Sequence, residues 1–275
     1  MSPAGATALE RLVRRDRIIV LALLALIVAA AVGYLALGAG LDMQGARHAM
    51  PMRTSTGMPG SMTLGAGGAS QWSASLAALV LAMWVVMMIA MMLPSAAPMI
   101  LLHAAMTRRA GRETVGVNTT LFVGGYVALW FLFALGASIL QWQLATRSLM
   151  HADMALGSGL MPAVFLIGAG VYQWTPLKRA CLSQCRSPLD FMLRHWRAGA
   201  AASFGMGARH GVLCLGCCWT TMLLLFVGGI MSPAWIGAIA VLVLLEKTAP
   251  QGERIARLAG IAMIAAGFVL LYRVL

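Results

Sequence analysis

Three of the chain's five cysteines stand in Cys214-Leu215-Gly216-Cys217-Cys218-Trp219, and the other two in Cys181-Leu182-Ser183-Gln184-Cys185-Arg186. On a helix, residues three and four apart share a face, so Cys214 projects over the stripe of Cys217 and Cys218, and Cys181 over that of Cys185. Thiolate sulfur is a soft donor suited to Cu(I), Zn(II) or iron–sulfur clusters. Four or five such donors complete an inner shell if a short return of chain brings the two groups together. Any one of these thiols would equally pack as a small apolar side chain. Clustering separates the two readings, because all five cysteines fall in two tight groups and none stands elsewhere.

Thioether sulfur forms a second set of soft donors. In Met83-Trp84-Val85-Val86-Met87-Met88-Ile89-Ala90-Met91-Met92-Leu93-Pro94, Met83, Met87 and Met91 recur every four residues with Met88 and Met92 beside them. One helical face then carries a ladder of thioethers able to pass a soft cation. Methionine is also a good helix former and gap filler, and the stripe alone favours packing. Met43, Met50, Met52, Met58 and Met62 surround His48 in a polar, glycine-rich stretch over 38–71. That stretch reads either as a capture site for Cu(I) or Ag(I), or as a linker whose methionines are incidental. His151 and Asp153 form a weaker pair that suits a divalent ion or a solvated loop.

The elements that position these donors follow from composition. With 275 residues, 61% hydrophobic and 10% charged, the chain is an all-α, polytopic membrane bundle with no room for a large extramembrane domain. Residues 18–37 form an uncleaved first span behind Arg11, Arg14, Arg15 and Arg17. A second apolar segment over 73–106 is too long for one straight crossing, and Pro94 and Pro98 offer a break or kink. Further spans are expected over 115–140, where Gly124, Gly125 and Gly136 permit close helix contact, and over 160–174. A basic loop over 178–209, holding a short interfacial helix around 189–196, leads to a fifth span beginning near His210. The cysteines at 214–218 then fall in its first turns. Two more spans, ending near 245 and 272, bring the count to about seven. The organisation is thus 1–37 as terminus and first span, 38–71 as the Met-rich external loop, and 72–275 as a six-helix metal-binding core.

The net charge of +12 is topological. Sixteen of the 20 basic residues fall in loops on the amino-terminal side; only Arg47, Arg53, Arg147 and Arg273 fall on the other. This asymmetry puts the amino terminus in the cytoplasm and the carboxyl terminus outside a bacterial inner membrane, and nucleic acid is not an expected partner. Both cysteine groups then lie toward the reducing cytoplasmic side, where free thiols are the expected state. Glu246, Lys247 and His210 are ionisable groups at or within the membrane. At a cytoplasmic boundary, headgroup contacts are their expected partners.

Four motifs carry a family resemblance: Met88-Ile89-Ala90-Met91-Met92-Leu93-Pro94, Gly170-Val171-Tyr172-Gln173-Trp174-Thr175-Pro176-Leu177-Lys178, the Cys181 to Arg186 segment, and Gly211-Val212-Leu213-Cys214-Leu215-Gly216-Cys217-Cys218-Trp219. In this order they resemble the bacterial family called domain of unknown function 2182, described as predicted metal-binding integral membrane proteins. The resemblance runs over 75–275, includes Met231 and Glu246-Lys247, and implies metal binding in a membrane without fixing a reaction. The first span and the Met-rich loop lie outside it.

The leading expectation is therefore an inner-membrane soft-metal protein, handling Cu(I) with zinc as the other candidate, in metal transport or delivery. Its ligands would be Cys181, Cys185, Cys214, Cys217 and Cys218, with Met83, Met87 and Met91 as transit sites. Expected partners are the lipid bilayer, the soft ion, and a metallochaperone or a metalloenzyme under assembly. Two alternatives stand beside it: a thiol–disulfide electron carrier built on Cys214-x-x-Cys217, and a structural subunit whose cysteines merely pack. An enzyme is not expected. There is no Gly-x-Ser-x-Gly elbow, no His-Glu-x-x-His and no phosphate-binding glycine loop.

Overall fold

A computed structural model describes residues 72–110, 114–150, 155–157, 160–230 and 232–274, together with Gly33. The described residues form α1 (Ala74–Arg109), α2 (Val115–Thr146), α3 (Leu160–Tyr172), α4 (Pro176–Arg186), α5 (Pro188–His195), α6 (Ala200–Leu223), α7 (Leu225–Gly228), α8 (Pro233–Thr248) and α9 (Gly252–Val274). Among them there is no strand beyond one isolated bridge between Met150 and Leu156. The first span apart from Gly33, the Met-rich loop with His48, and the His151–Asp153 pair lie outside the described residues.

Of the break or kink expected at Pro94 and Pro98, the break does not occur: α1 runs through both prolines as one helix of 36 residues. A proline removes a ladder hydrogen bond and crowds the preceding turn. Inside a bundle, neighbours compensate for the disturbed turn. In the turn that carries Pro94, Tyr126 donates to the Met92 carbonyl at 3.2 Å and Ser95 donates to the same oxygen at 2.8 Å. This ties that part of α1 to α2; the carbonyls freed by the two prolines are those of Ala90 and Pro94. Ser73 opens the helix by accepting from the Leu76 amide at 3.2 Å.

Helix α6 also departs from expectation, starting at Ala200 rather than near His210. The run Ala200-Ala201-Ala202 favours helix, and Ser203, Met206, Gly207 and His210 bury one face while Arg209 points outward. The cysteines consequently sit in the later half of α6, not in its first turns. The short helix expected around 189–196 is present as α5.

Backbone contact, rather than hydrophobic burial alone, holds α2 against α6, their direction being parallel. A Cβ on Gly207 would run into the Phe122 carbonyl, and one on Gly125 into the Phe204 carbonyl. Such close approach is how helices gain packing energy where lipid is as apolar as the side chains. Of the three glycines expected to permit it on α2, Gly125 does so, whereas Gly124 and Gly136 have open space beside them. On the far side, α3 packs along α9 through Gly170, Gly260 and Gly267 in the same manner.

Four helical stretches are long and apolar enough to cross a membrane: α1, α2, Ala200–Gly228 and α9. A fifth is added if α3 and α4, bent by 65°, form one broken span. Helix α8 has 16 residues, about 24 Å of rise against a hydrocarbon core of roughly 30 Å. Apolar side chains such as Leu132, Ile139, Ile261, Phe268 and Val269 remain exposed on the outer faces of α2 and α9, as lipid contact requires. The interior is formed by α1, α2 and α6, with α4 and α8 packed against it.

Candidate metal centre

The two cysteine groups meet where α4 packs on α6. Cys214, Cys217 and Cys218 are buried on one face of α6, and the thiols of Cys217 and Cys218 both donate to the Cys214 carbonyl, at 3.1 and 3.0 Å. The Cys185 thiol faces that of Cys217, and the Cys214 thiol faces those of Cys217 and Cys218. Gly216 makes the helix crossing possible: a Cβ there would stand 2.7 Å from the Cys181 sulfur. The Tyr172 hydroxyl fixes the same crossing by donating to the Gly216 carbonyl. Cys181 and Cys185 are half-buried, and all five cysteines are free thiols.

Around Cys214 the groups are polar and, in one case, charged. The Lys247 ammonium donates to Cys214 Sγ at 2.9 Å and to Ser95 Oγ at 3.1 Å, with Met92 Sδ at 3.9 Å. Tyr126 Oη shares a hydrogen bond with Cys214 Sγ at 3.0 Å. Thiol, thioether, phenol and ammonium therefore share one buried nest built from α1, α2, α6 and α8.

Beside it, Lys178 Nζ meets Glu246 Oε2 at 2.7 Å with both side chains 1% exposed, and Gln173 donates to Glu246 Oε1 at 3.2 Å. The expectation of headgroup contacts for Glu246 and Lys247 is thus overturned. Adjacent residues on a helix point about 100° apart, so Glu246 turns toward α4 while Lys247 turns toward α6 and α1.

Among the described residues, no three His, Cys, Asp or Glu side chains already stand in metal-site geometry. The sulfurs are packed as free thiols. The donor set itself fits a soft monovalent ion, with thiols from two helices and a neighbouring thioether.

The thioether ladder is placed in the core, with Met83, Met87 and Met91 buried on α1. The methionine that shares Lys247 with Cys214 is Met92, beside that line rather than on it. Sequence reasoning missed Tyr126, Ser95, Gln173 and Lys178. Gln173 and Lys178 carried a usable signal, being strongly polar residues at the end of an apolar run that must either reach water or find each other.

The chain matches over residues 81–270 the sequence model of a family described as PpoB2, copper chaperone. The match covers well over half of the chain, and the protein belongs to that family. No curated protein and no solved structure matches it.

Proposed function

We propose that this protein binds Cu(I) inside the membrane on the thiols of Cys185, Cys214, Cys217 and Cys218, with Cys181 at the rim, and hands the ion on. The recipient is a copper-requiring enzyme under assembly or the far side of the bilayer. The observation that carries this reading is the approach of the Cys185 thiol on α4 to the Cys217 thiol on α6, with the Lys247 ammonium against Cys214. Membership of a family described as copper chaperone supports copper as the ion.

Cu(I) held by two thiolates carries one net negative charge, and the Lys247 ammonium offsets it where lipid and protein exclude water. Neutral thioethers bind the same ion less tightly than thiolates. Met83, Met87 and Met91 then form an approach of lower affinity, and Met92 stands at its end beside the centre. Transfer between sulfurs is ligand exchange with no change in oxidation state. No catalytic step is assigned.

The membrane setting follows the charge distribution. Arg108 and Arg109 end α1, and Arg254 and Arg257 stand in the first turns of α9. With these ends in the cytoplasm, the amino terminus is cytoplasmic, the carboxyl terminus is outside, and the chain crosses a bacterial inner membrane about seven times.

Elemental analysis of protein purified anaerobically in detergent tests the reading, beside a variant with Cys214, Cys217 and Cys218 changed to Ser. Near-stoichiometric copper lost in the variant is the expected result. Stoichiometric zinc instead would change the ion. Metal-free protein whose thiols cycle with oxidant would replace this reading with thiol–disulfide transfer through Cys214-x-x-Cys217.

A further inference from the structure

Helix α4 carries Cys181 and Cys185, yet of its 11 residues only Lys178 and Leu182 are buried. So short a helix needs ties beyond its own hydrogen bonds. Polar contacts with α8 and the turn after it supply them at both ends. Lys178, in the first turn, meets Glu246. Arg186, the last residue, donates from Nη2 to the carbonyls of Ala249 and Pro250, at 2.7 Å each.

The two acceptors stand where α8 ends and the chain turns into α9. Ala249 caps α8, and its carbonyl also receives the Gly252 amide at 3.1 Å. Carbonyls at a helix C-terminus lack intrahelical partners and carry the negative end of the helix dipole, which suits a guanidinium. The turn closes tightly around this group. A Cβ on Gly252 would run into the Glu246 carbonyl and stand 3.2 Å from Arg186 Nη1.

These ties bracket the sulfur donors. Lys178 and Arg186 are eight residues apart, about 12 Å of rise, and both α4 cysteines lie between them. On α8 the tied residues Glu246 and Ala249 bracket Lys247, whose ammonium reaches Cys214. Cys185 is the direct neighbour of Arg186 and faces Cys217, whereas Cys181 lies one turn nearer the Lys178 tie. Past Arg186 the chain turns at Ser187, and Pro188 opens α5. The end of α4 that carries Cys185 is thus held to the α8–α9 turn through the Arg186 side chain.

We propose that Arg186 is a positioning residue for the copper centre: its grip on the Ala249 and Pro250 carbonyls sets the Cys185 thiol before Cys217 while Lys247 stands at Cys214. Helix α4 thereby adds a ligand to those of α6. The proposal deepens the copper reading and rests on it. Without the guanidinium the last turn of α4 frays, as helix ends do, and Cys185 leaves Cys217 before Cys181 moves. Arg186 touches no ion and acts through the placement of its neighbour.

The test uses the full chain in detergent, reduced and anaerobic, as parent, Arg186→Met, Cys185→Ser and the double variant. Alkylation of the metal-free proteins by N-ethylmaleimide, read peptide by peptide in a mass spectrometer, gives the labelling rate of each cysteine. Loss of loaded Cu(I) to a chelator gives retention. In Arg186→Met, Cys185 should label at least about fivefold faster, with Cys181 changed by less than about twofold. Arg186→Met and Cys185→Ser should each lose copper faster than the parent, and the double variant no faster than Cys185→Ser, because both changes remove one ligand. Arg186→Lys keeps the charge without the planar fork and should fall between parent and Arg186→Met; it carries the same comparison if Arg186→Met does not fold. A copper-binding chain whose Cys185 labelling is unchanged by loss of the guanidinium overturns the positioning role alone. So do copper losses that multiply in the double variant, and a Cys185→Ser protein that holds copper like the parent. A parent that binds no copper fails the copper reading itself, and the positioning role with it.

Discussion

The Lys247 ammonium and the Cys214 sulfur stand 2.9 Å apart in the interior of the bundle, with Lys247 only 8% exposed and Glu246 already engaged by Lys178. A buried ammonium without a carboxylate is costly unless another group balances it. The groups it meets are thiol, hydroxyl and thioether. In the proposed copper reading, an anionic Cu(I)–thiolate centre would provide the balancing charge.

Replacing the ammonium should therefore weaken the centre. Lys247→Met is expected to lower Cu(I) retention by at least about tenfold, equivalent to about 1.4 kcal/mol, while Lys247→Arg keeps part of it. Competition with a Cu(I) chelator measures this directly. Tighter retention in Lys247→Met would mean that the ammonium repels the ion instead.

The convergence of the cysteines was legible because it rests on periodicity: three and four residues set a helical face wherever the helix lies. The depth of the centre was not. Arg197 and Arg209 made 178–209 read as a loop, yet Arg209 snorkels outward from a helix whose other face is buried. Tyr126 was invisible for a related reason, since an aromatic residue in an apolar run carries no mark of the thiol its hydroxyl will meet across 88 positions. Lys178 and Glu246 are 68 residues apart, and their pairing depends on how α4 folds back from α3.

Removal of one partner from that buried pair leaves the other charge uncompensated. Lys178→Met or Glu246→Leu alone should destabilise by about 3–5 kcal/mol, and the double change should recover most of the loss. Thermal unfolding in detergent, followed by circular dichroism, reads all three. Equal and additive losses would show that the two side chains act independently.

Gly216 gives a more local handle on the cysteine crossing. A methyl group there meets the Cys181 sulfur at 2.7 Å, and the thiol can turn away about χ1 without moving either backbone. Gly216→Ala should therefore fold, with stability changed by about 1 kcal/mol or less, but with Cys181 more reactive toward a small alkylating reagent. An unchanged Cys181 labelling rate would show that α4 and α6 have separated there in solution.

The α2–α6 contact offers a contrast between glycines of the same helix pair. The Gly207 Cα faces the Phe122 backbone, and neither carbonyl nor helix can rotate aside. Gly207→Ala must push the two helices apart, which also moves Tyr126 relative to Cys214 and so disturbs the copper centre without touching a ligand. Gly124 on α2 has nothing within 4 Å of its added Cβ, and alanine there gains helix propensity of about 1 kcal/mol. Gly124→Ala is expected to unfold at the same temperature as the parent or slightly higher, with full copper content. Gly207→Ala should lose several kcal/mol of stability and most of its bound copper. If both alanine variants behaved alike, α2 and α6 would not be packed backbone to backbone, and the position of Tyr126 against Cys214 would lose its support.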